Sequence, residues 1–371
     1  GSFAAGRDDA GRFAKAGILM YDFLACWLYR RGNRASERWS MSPKVRAYVV
    51  LALGVSIVAW AAILIRWAGS DAPPPAMVAA GRTLLGWLEG AGLAGSEKPS
   101  SLAIAAGRMG FAALLLTPVA LAGGVPRTLR TLRRPNLLLL LASGLALALH
   151  FASWIASLSL TTVASSVVLV TANPLFVALA SHLILHERVS RLTVAGIALA
   201  VVGGLLIGYG DIALSGQALL GDLLALLGAL MASTYFLLGR SLRRRLPILA
   251  YIWPVYTAAA LALILLCLLS GLPLAGYTPE SYLLLLLLAL GPQLLGHSAL
   301  NYALGHLSAT LVAVAVLGEP LGATVLALAL LGEVPPATSL FGGALLLGGI
   351  LLAGRGERPA PPGDGEQAGR E

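Results

Sequence analysis

Charged residues are scarce in this sequence. Asp, Glu, Lys and Arg together make up 12% of the 371 residues, whereas hydrophobic residues make up 58%. So little charge cannot cover the surface of a soluble globule of this size. The composition therefore excludes an ordinary soluble domain and predicts that a lipid bilayer surrounds most of the protein.

Cysteine and the usual cofactor motifs are also nearly absent. Cys26 and Cys267 are the only two cysteines, which excludes a disulfide framework and a thiolate metal site. His182 and His186 are four residues apart, followed by Glu187, and could offer two metal ligands from one helical face, but no third ligand is apparent nearby. They are predicted to be polar groups at the cytoplasmic end of a helix rather than a metal site. A G-x-x-x-x-G-K-[ST] loop is missing, which argues against ATP as the energy source. The sequence predicts no cofactor.

Positive charge is present in short patches. The net charge is +9, but no continuous basic face exists, so a nucleic-acid partner is not expected. Basic clusters in alternate connections between apolar runs are typical of cytoplasmic loops, and they predict that both termini are cytoplasmic. The clusters are Arg127, Arg130, Arg133 and Arg134; Arg188 and Arg191; Arg240, Arg243, Arg244 and Arg245; and Arg355 and Arg358.

Ten apolar runs are long enough to cross ~30 Å of hydrocarbon as helices. An even number of spans agrees with two cytoplasmic termini, so we predict an all-α membrane protein of about ten transmembrane helices. The runs lie near 46–67, 102–122, 136–158, 162–186, 191–208, 219–239, 248–270, 280–302, 307–331 and 338–354.

Three segments lie outside these runs. Residues 1–44 form an N-terminal extension, in which we expect Met41 to open the natural protein and the preceding residues to be added sequence. A basic amphipathic segment on the membrane surface is the alternative for part of this extension. Residues 69–101 form a long outer loop, and residues 356–371 are expected to be a disordered cytoplasmic tail.

An internal repeat organises the chain. Asn173-Pro174 and Glu319-Pro320 lie 319 − 173 = 146 residues apart. The same displacement divides the chain into halves at 45–210 and 211–355, each with five spans. Because five is odd, the second half must enter the membrane from the opposite side, which is the inverted arrangement of many transporters. The displacement also pairs Leu175 with Leu321, Glu187 with Glu333, Gly196 with Gly342 and Gly203 with Gly349.

The order of motifs in both halves resembles the EamA-type branch of the drug/metabolite transporter superfamily. This resemblance implies ten helices around a central cavity and transport, often outward, of amino acids, other metabolites or drugs. It further implies a bacterial inner membrane and no enzymatic activity. The motifs are "AAILIRWA" (61–68), "AAGRMGFAALLL" (105–116), "ANPLFVALASHLILHERVS" (172–190), "GDLLALLGALMASTYFLLGR" (221–240), "NYALGHLSAT" (301–310) and "LGEPLGATVLALALLGEVPP" (317–336).

Polar side chains inside the spans are the candidate site. A charge at the centre of a span costs roughly 2.5–3.5 kcal/mol, so it needs a partner or a wet cavity. Glu319 is a candidate both for lining the cavity and for carrying a proton, with a packing role as the alternative. Asn173 occupies the equivalent position. The prolines that follow free the carbonyls of Val170 and Val316, which become possible ligands or mark simple kinks.

Further candidates lie on corresponding helices. His150 and Trp154 share one helical face by their spacing of four, and Gln293, His297 and Asn301 repeat that spacing. Helix-to-helix hydrogen bonding is the alternative for these residues and for Arg108, and packing or an interfacial position is the alternative for the aromatic residues. The complete set of candidate substrate-binding residues is Trp60, Arg108, His150, Trp154, Asn173, Tyr235, Gln293, His297, Asn301 and Glu319.

The sequence is compatible with three candidate functions. The first is a secondary carrier that exports small organic solutes, with protons as the coupling ion and Glu319 as their carrier. The second is an uncoupled facilitator or channel of the same fold. The third, an integral-membrane enzyme acting on lipid, needs acids, His or Ser gathered at one membrane surface, whereas the candidates here lie near mid-depth. The sequence indicates no particular oligomeric state.

Overall fold

The structure is a computed structural model. It describes residues 43–70, 73–176, 180, 190–212, 216–243, 245–307, 312 and 315–356. The predictions for residues 1–42 and 357–371, and for His182, His186 and Glu187, lie outside these residues. Within the described ranges the chain is helical and contains no strand. Its β-pairing there is an isolated bridge between Glu97 and Tyr277.

The helices follow the apolar runs of the sequence. In chain order they are α1 Pro43–Val58, α2 Ala61–Ala68, α3 Pro75–Leu85, α4 Trp87–Gly90, α5 Ser101–Ala122, α6 Val125–Arg130, α7 Arg134–Leu158, α8 Val163–Val170, α9 Arg191–Ile212, α10 Gly216–Arg243, α11 Ile248–Leu269, α12 Pro279–Leu288, the π-helix Ala289–His297, α13 Ser298–Leu304, α14 Gly318–Leu331 and α15 Ala337–Gly356.

Ten apolar helical stretches coincide with the ten predicted spans. Six of them are long and apolar enough to cross a membrane: Val45–Ala68, Ser101–Ala122, Arg134–Leu158, Gly216–Arg243, Ile248–Leu269 and Pro279–Leu304. The other four are shorter within the described residues: Val163–Phe176, Arg191–Ile207, Gly318–Leu331 and Ala337–Leu352. The prediction of an all-α membrane protein with about ten transmembrane helices is confirmed.

Several spans are interrupted near their middle. The fourth span leaves α-helical geometry at Thr171, after Val170, and the ninth leaves it at Leu317, just before α14 begins at Gly318. Pro174 and Pro320 lack the backbone N–H that would bond the residue four positions earlier, so both sequences weaken the helix at the same point. The freed backbone groups cannot face lipid. Accordingly Val170, Thr171, Val316 and Leu317 are all buried.

The interrupted helices meet inside the bundle. α8 packs against α14, so the interruption of the first half lies beside that of the second. α7 packs along α10 and α11, whereas α1 packs along the π-helix and α13. α5 runs against α11 and the π-helix. These contacts bring the polar residues of α5, α7, α10 and the π-helix around the two interruptions.

Glycines allow α9 and α15 to come into backbone contact. A Cβ atom built on Gly203 would lie 2.5 Å from the carbonyl oxygen of Gly342, and one on Gly349 would lie 2.5 Å from that of Gly196. No residue larger than glycine fits at such separations without movement of the backbone. The prediction that these four glycines permit close helix contact is confirmed.

We expect Gly349→Ala to lower the stability of the protein and Gly348→Ala to leave it unchanged. A methyl group at 349 would overlap the backbone of α9, at a cost of about 1–3 kcal/mol. At the adjacent position 348 an added Cβ has no atom within 4 Å. Thermal unfolding of both variants in detergent measures the difference. Equal unfolding temperatures would show that the α9–α15 contact is looser than described.

Candidate functional site

A small cavity lies where the two interrupted helices meet. Its volume is about 40 Å³, which accommodates a few water molecules at roughly 10–15 Å³ each but no amino acid or metabolite. In this structure the cavity is thus too small for such a solute. The lining consists of the polar or aromatic residues His150, Trp154, Thr171, Asn173, Tyr235, Phe236, His297 and Glu319 and the apolar residues Leu147, Val170, Ala232, Leu300 and Val316.

Glu319 and Asn173 line this cavity from repeat-equivalent positions. Glu319 is 7% exposed and belongs to the first turn of α14, where the helix N-terminus favours a negative charge. The Asn173 side-chain oxygen is buried without a hydrogen-bond partner, while its backbone carbonyl accepts a bond from the Ser233 hydroxyl at 2.9 Å. The carboxyl and the amide are thus two polar groups that the fold holds at the junction of its halves.

The two histidines form one wall of the cavity. The Nδ1–H of His150 donates to the Gly228 carbonyl at 2.9 Å, and its ring stacks on Trp154 with centroids 5.9 Å apart. The His297 ring lies 6.5 Å from that of His150, and its Nδ1 is buried without a partner. His297 ends the π-helix, a geometry that is frequent at functional sites. The structure therefore brings together the polar stripes of the third and eighth spans.

Tyr235 joins the cavity to the eighth span. Its hydroxyl lies 3.0 Å from the Asn301 side-chain oxygen and accepts a bond from the Asn301 amide nitrogen at 2.8 Å. The same amide nitrogen lies 2.8 Å from the His297 carbonyl. Asn301 is not part of the cavity lining and acts as a support for Tyr235 and for the end of the π-helix.

Arg108 and Gln293 lie one aromatic layer away from the cavity. The Arg108 Nε donates to the Gln293 side-chain oxygen at 2.9 Å. Its guanidinium carbon is 4.1 Å from the centre of the Phe151 ring and 5.9 Å from that of Trp154. Phe151 in turn meets His297 edge to face, with ring centroids 5.3 Å apart. Phe151 was not among the predicted site residues. Its position directly after His150 is the signal that could have identified it.

Trp60 is the one candidate that lies apart from this cluster. It occupies the turn between α1 and α2, its side chain is 43% exposed, and it does not line the cavity. A largely apolar indole ring is stable on a lipid-facing surface, so Trp60 is not required to turn inward.

An ion pair closes the bundle at one end. Arg66 Nη2, at the end of α2, lies 3.4 Å from the Glu333 carboxylate just after α14, and also donates to the Thr161 carbonyl at 2.6 Å. The other Glu333 oxygen accepts the backbone N–H of Val163 at the start of α8. Beside the pair is a cleft of about 1090 Å³. Sequence spacing does not predict this pairing, because it requires two spans to end at the same membrane face.

Comparison with known proteins agrees with this architecture. A family model described as the EamA-like transporter family matches the chain twice, over residues 91–209 and 219–355. The family model thus matches once in each half of the chain, and the ends of the two matches lie 355 − 209 = 146 residues apart, whereas their starts lie 219 − 91 = 128 residues apart. A solved structure described only as the crystal structure of a protein is 17% identical and gives a TM-score of 0.53. The alignment covers 84% of this chain and 97% of that one. A search of curated proteins gives no match.

We expect Tyr235→Phe to destabilise the protein by about 0.5–2 kcal/mol, because the buried side-chain oxygen of Asn301 loses its partner. Tyr209→Phe is the matched control, since Tyr209 is 71% exposed. Thermal unfolding in detergent compares the two variants. If both unfold at the wild-type temperature, the Tyr235–Asn301 contact contributes nothing to the packing of α10 on α13.

Proposed function

Because the chain belongs to the EamA-like transporter family, we propose that it is a secondary transporter that exports small organic solutes. Amino acids, related metabolites and amphiphilic drugs are the solutes that we propose. The observation that carries the proposal is the polar cavity at the junction of the two interrupted helices. Interrupted helices at equivalent positions of two repeats are the usual surroundings of a transporter binding site.

The small volume of the cavity supports alternating access. A volume of about 40 Å³ cannot hold a solute of the proposed size, so the halves must move apart before binding. Such movement is a rocking of one repeat against the other around the junction. The site is thus proposed to open to one side of the membrane at a time.

We place the Arg66–Glu333 pair on the outer side. This placement follows from cytoplasmic termini in a bacterial inner membrane, the orientation that the basic loops support. The ion pair then joins α2, α8 and α14 across the outer end of the bundle, and the cleft beside it is the outer vestibule. In this proposal the pair holds the outer end of the bundle together, and export requires the pair to separate.

Glu319 is the proposed carrier of the coupling proton. It is the carboxyl group that lines the cavity, and the Arg108 charge lies near enough to interact with it electrostatically. Moving an ionised carboxylate between two states of a low-dielectric site is costly, and protonation removes that cost. Uptake of a proton on one side and its release on the other would couple solute movement to a proton gradient.

Flux into proteoliposomes under an imposed pH gradient tests the proposal. We expect wild-type flux of at least one solute from a panel of amino acids, metabolites and amphiphilic cations to respond to the gradient. Glu319→Gln should lower gradient-driven flux by about tenfold or more, since a fixed neutral group cannot release a proton. Glu89→Gln is the control, because Glu89 is an exposed carboxyl on α4.

The outcomes separate the alternatives. Flux that ignores the gradient and survives Glu319→Gln would contradict coupling and identify an uncoupled facilitator. Gradient-driven flux that Glu319→Gln leaves intact would assign the proton to another group. Absence of flux for every solute of the panel would contradict the transport function itself.

A further inference from the structure

Arg108 carries donors that the protein leaves unused. Its side chain is fully buried on α5, and its Nε is bonded to Gln293. The Nη1 and Nη2 atoms are buried without a hydrogen-bond partner. A guanidinium group offers five N–H donors in a fixed planar fork, so most of its capacity for hydrogen bonding is unsatisfied.

Among the described residues, no carboxylate forms a hydrogen bond or ion pair with the Arg108 guanidinium. Glu319 is close enough to interact electrostatically with Arg108, but the two form no ion pair in the described structure. The flanking groups are the Phe151 and Trp154 rings, which stabilise the cation without accepting an N–H bond in the plane of the fork. The arrangement lacks one component, a group that accepts two parallel N–H bonds.

Trp154 points to the same missing group. Its indole Nε1 is also buried without a partner, and an indole N–H can only donate. The Trp154 ring lies 5.9 Å from the Arg108 guanidinium and also lines the cavity. Arg108 and Trp154 thus both carry N–H donors without a partner, and Trp154 lies in the cavity wall. A ligand that satisfies them must supply hydrogen-bond acceptors.

Resting on the transport function proposed above, we propose that Arg108 and Trp154 form a carboxylate-binding subsite for the transported solute. A carboxylate accepts from both Nη atoms of an arginine in the bidentate arrangement that its geometry favours. The cavity must enlarge to hold any organic solute. We propose that it enlarges toward Arg108, so that the Phe151 and Trp154 rings move and the guanidinium becomes part of the cavity wall. The solute class is a small organic acid or zwitterion.

Ligand pairs that differ only in the carboxylate provide the test. Thermal unfolding of the full chain in detergent is measured with the L-α-amino acids and with their carboxamides, which keep the amine and the side chain but lose the negative charge. Binding raises the stability of the folded state by mass action, so dose series give a Kd for each compound. For every acid that binds wild type, we expect its amide to bind about tenfold or more weakly.

Arg108→Gln should remove this discrimination. We expect the acid-to-amide ratio to fall below about twofold in the variant, because the lost contact involves only the carboxylate. Arg82→Gln, which removes an exposed arginine of α3, should keep the wild-type ratio. Arg108→Lys keeps the charge without the fork and should give an intermediate ratio, which provides a second variant if Arg108→Gln does not fold.

Several results would overturn the subsite. Equal binding of acids and amides by the wild-type protein would do so without any variant, and so would a tenfold ratio that persists in Arg108→Gln. Failure of every amino acid and amide to bind would also overturn it. Gradient-driven flux of an uncharged or cationic solute alone would leave the transport function standing and reject only the carboxylate assignment.

Discussion

The cost of an unpaired polar group in hydrocarbon determines where this structure departs from regular helices. Pro174 and Pro320 each break a span, and each break releases backbone groups that lipid cannot satisfy. Both breaks are therefore turned toward the interior and packed against each other through α8 and α14. The polar side chains follow the same rule, because Glu319, Asn173, His150 and His297 face the interior beside these breaks rather than lipid.

The same constraint explains why the charged groups are arranged in layers. Arg108 is separated from the cavity by aromatic rings, and Glu319 lies on the cavity wall. In a low-dielectric interior, opposite charges attract over distances at which water would screen them. Arg108 and Glu319 can thus attract each other electrostatically without direct contact. Each side chain also keeps polar atoms with which it could bind a solute.

The regular part of the fold was predictable from the sequence because hydropathy measures the property that the bilayer selects. Ten apolar runs became ten helical stretches, and the glycines at 146-residue spacing became the α9–α15 contact. Their signals are local, so no knowledge of tertiary contacts was needed. The meeting of His150 with His297 was also predictable, because two copies of one repeat place equivalent residues at equivalent depth.

The other features of the fold and the site depend on tertiary contacts, which cannot be inferred from the spacing of residues along the sequence. Trp60 lies in the turn between α1 and α2, and nothing within the apolar run of the first span marks this turn in the sequence. The π-helix contains Pro292 beside Gln293, and a proline in a sequence does not distinguish a π-helix from a kinked α-helix. Phe151 gains its role only because α5 passes across α7. The Arg66–Glu333 pair joins residues of different halves, which become neighbours after the whole bundle has assembled.

The pairing of Asn173 with Glu319 has a consequence for the energetics of the transport cycle. Two identical inverted halves would make the inward-facing and outward-facing forms equivalent by a two-fold rotation, with equal free energy. Glu319 is titratable and its counterpart Asn173 is not, so this pair of positions removes that equivalence by an amount that depends on whether Glu319 is charged. The two conformations of the proposed transport cycle therefore need not have equal free energy.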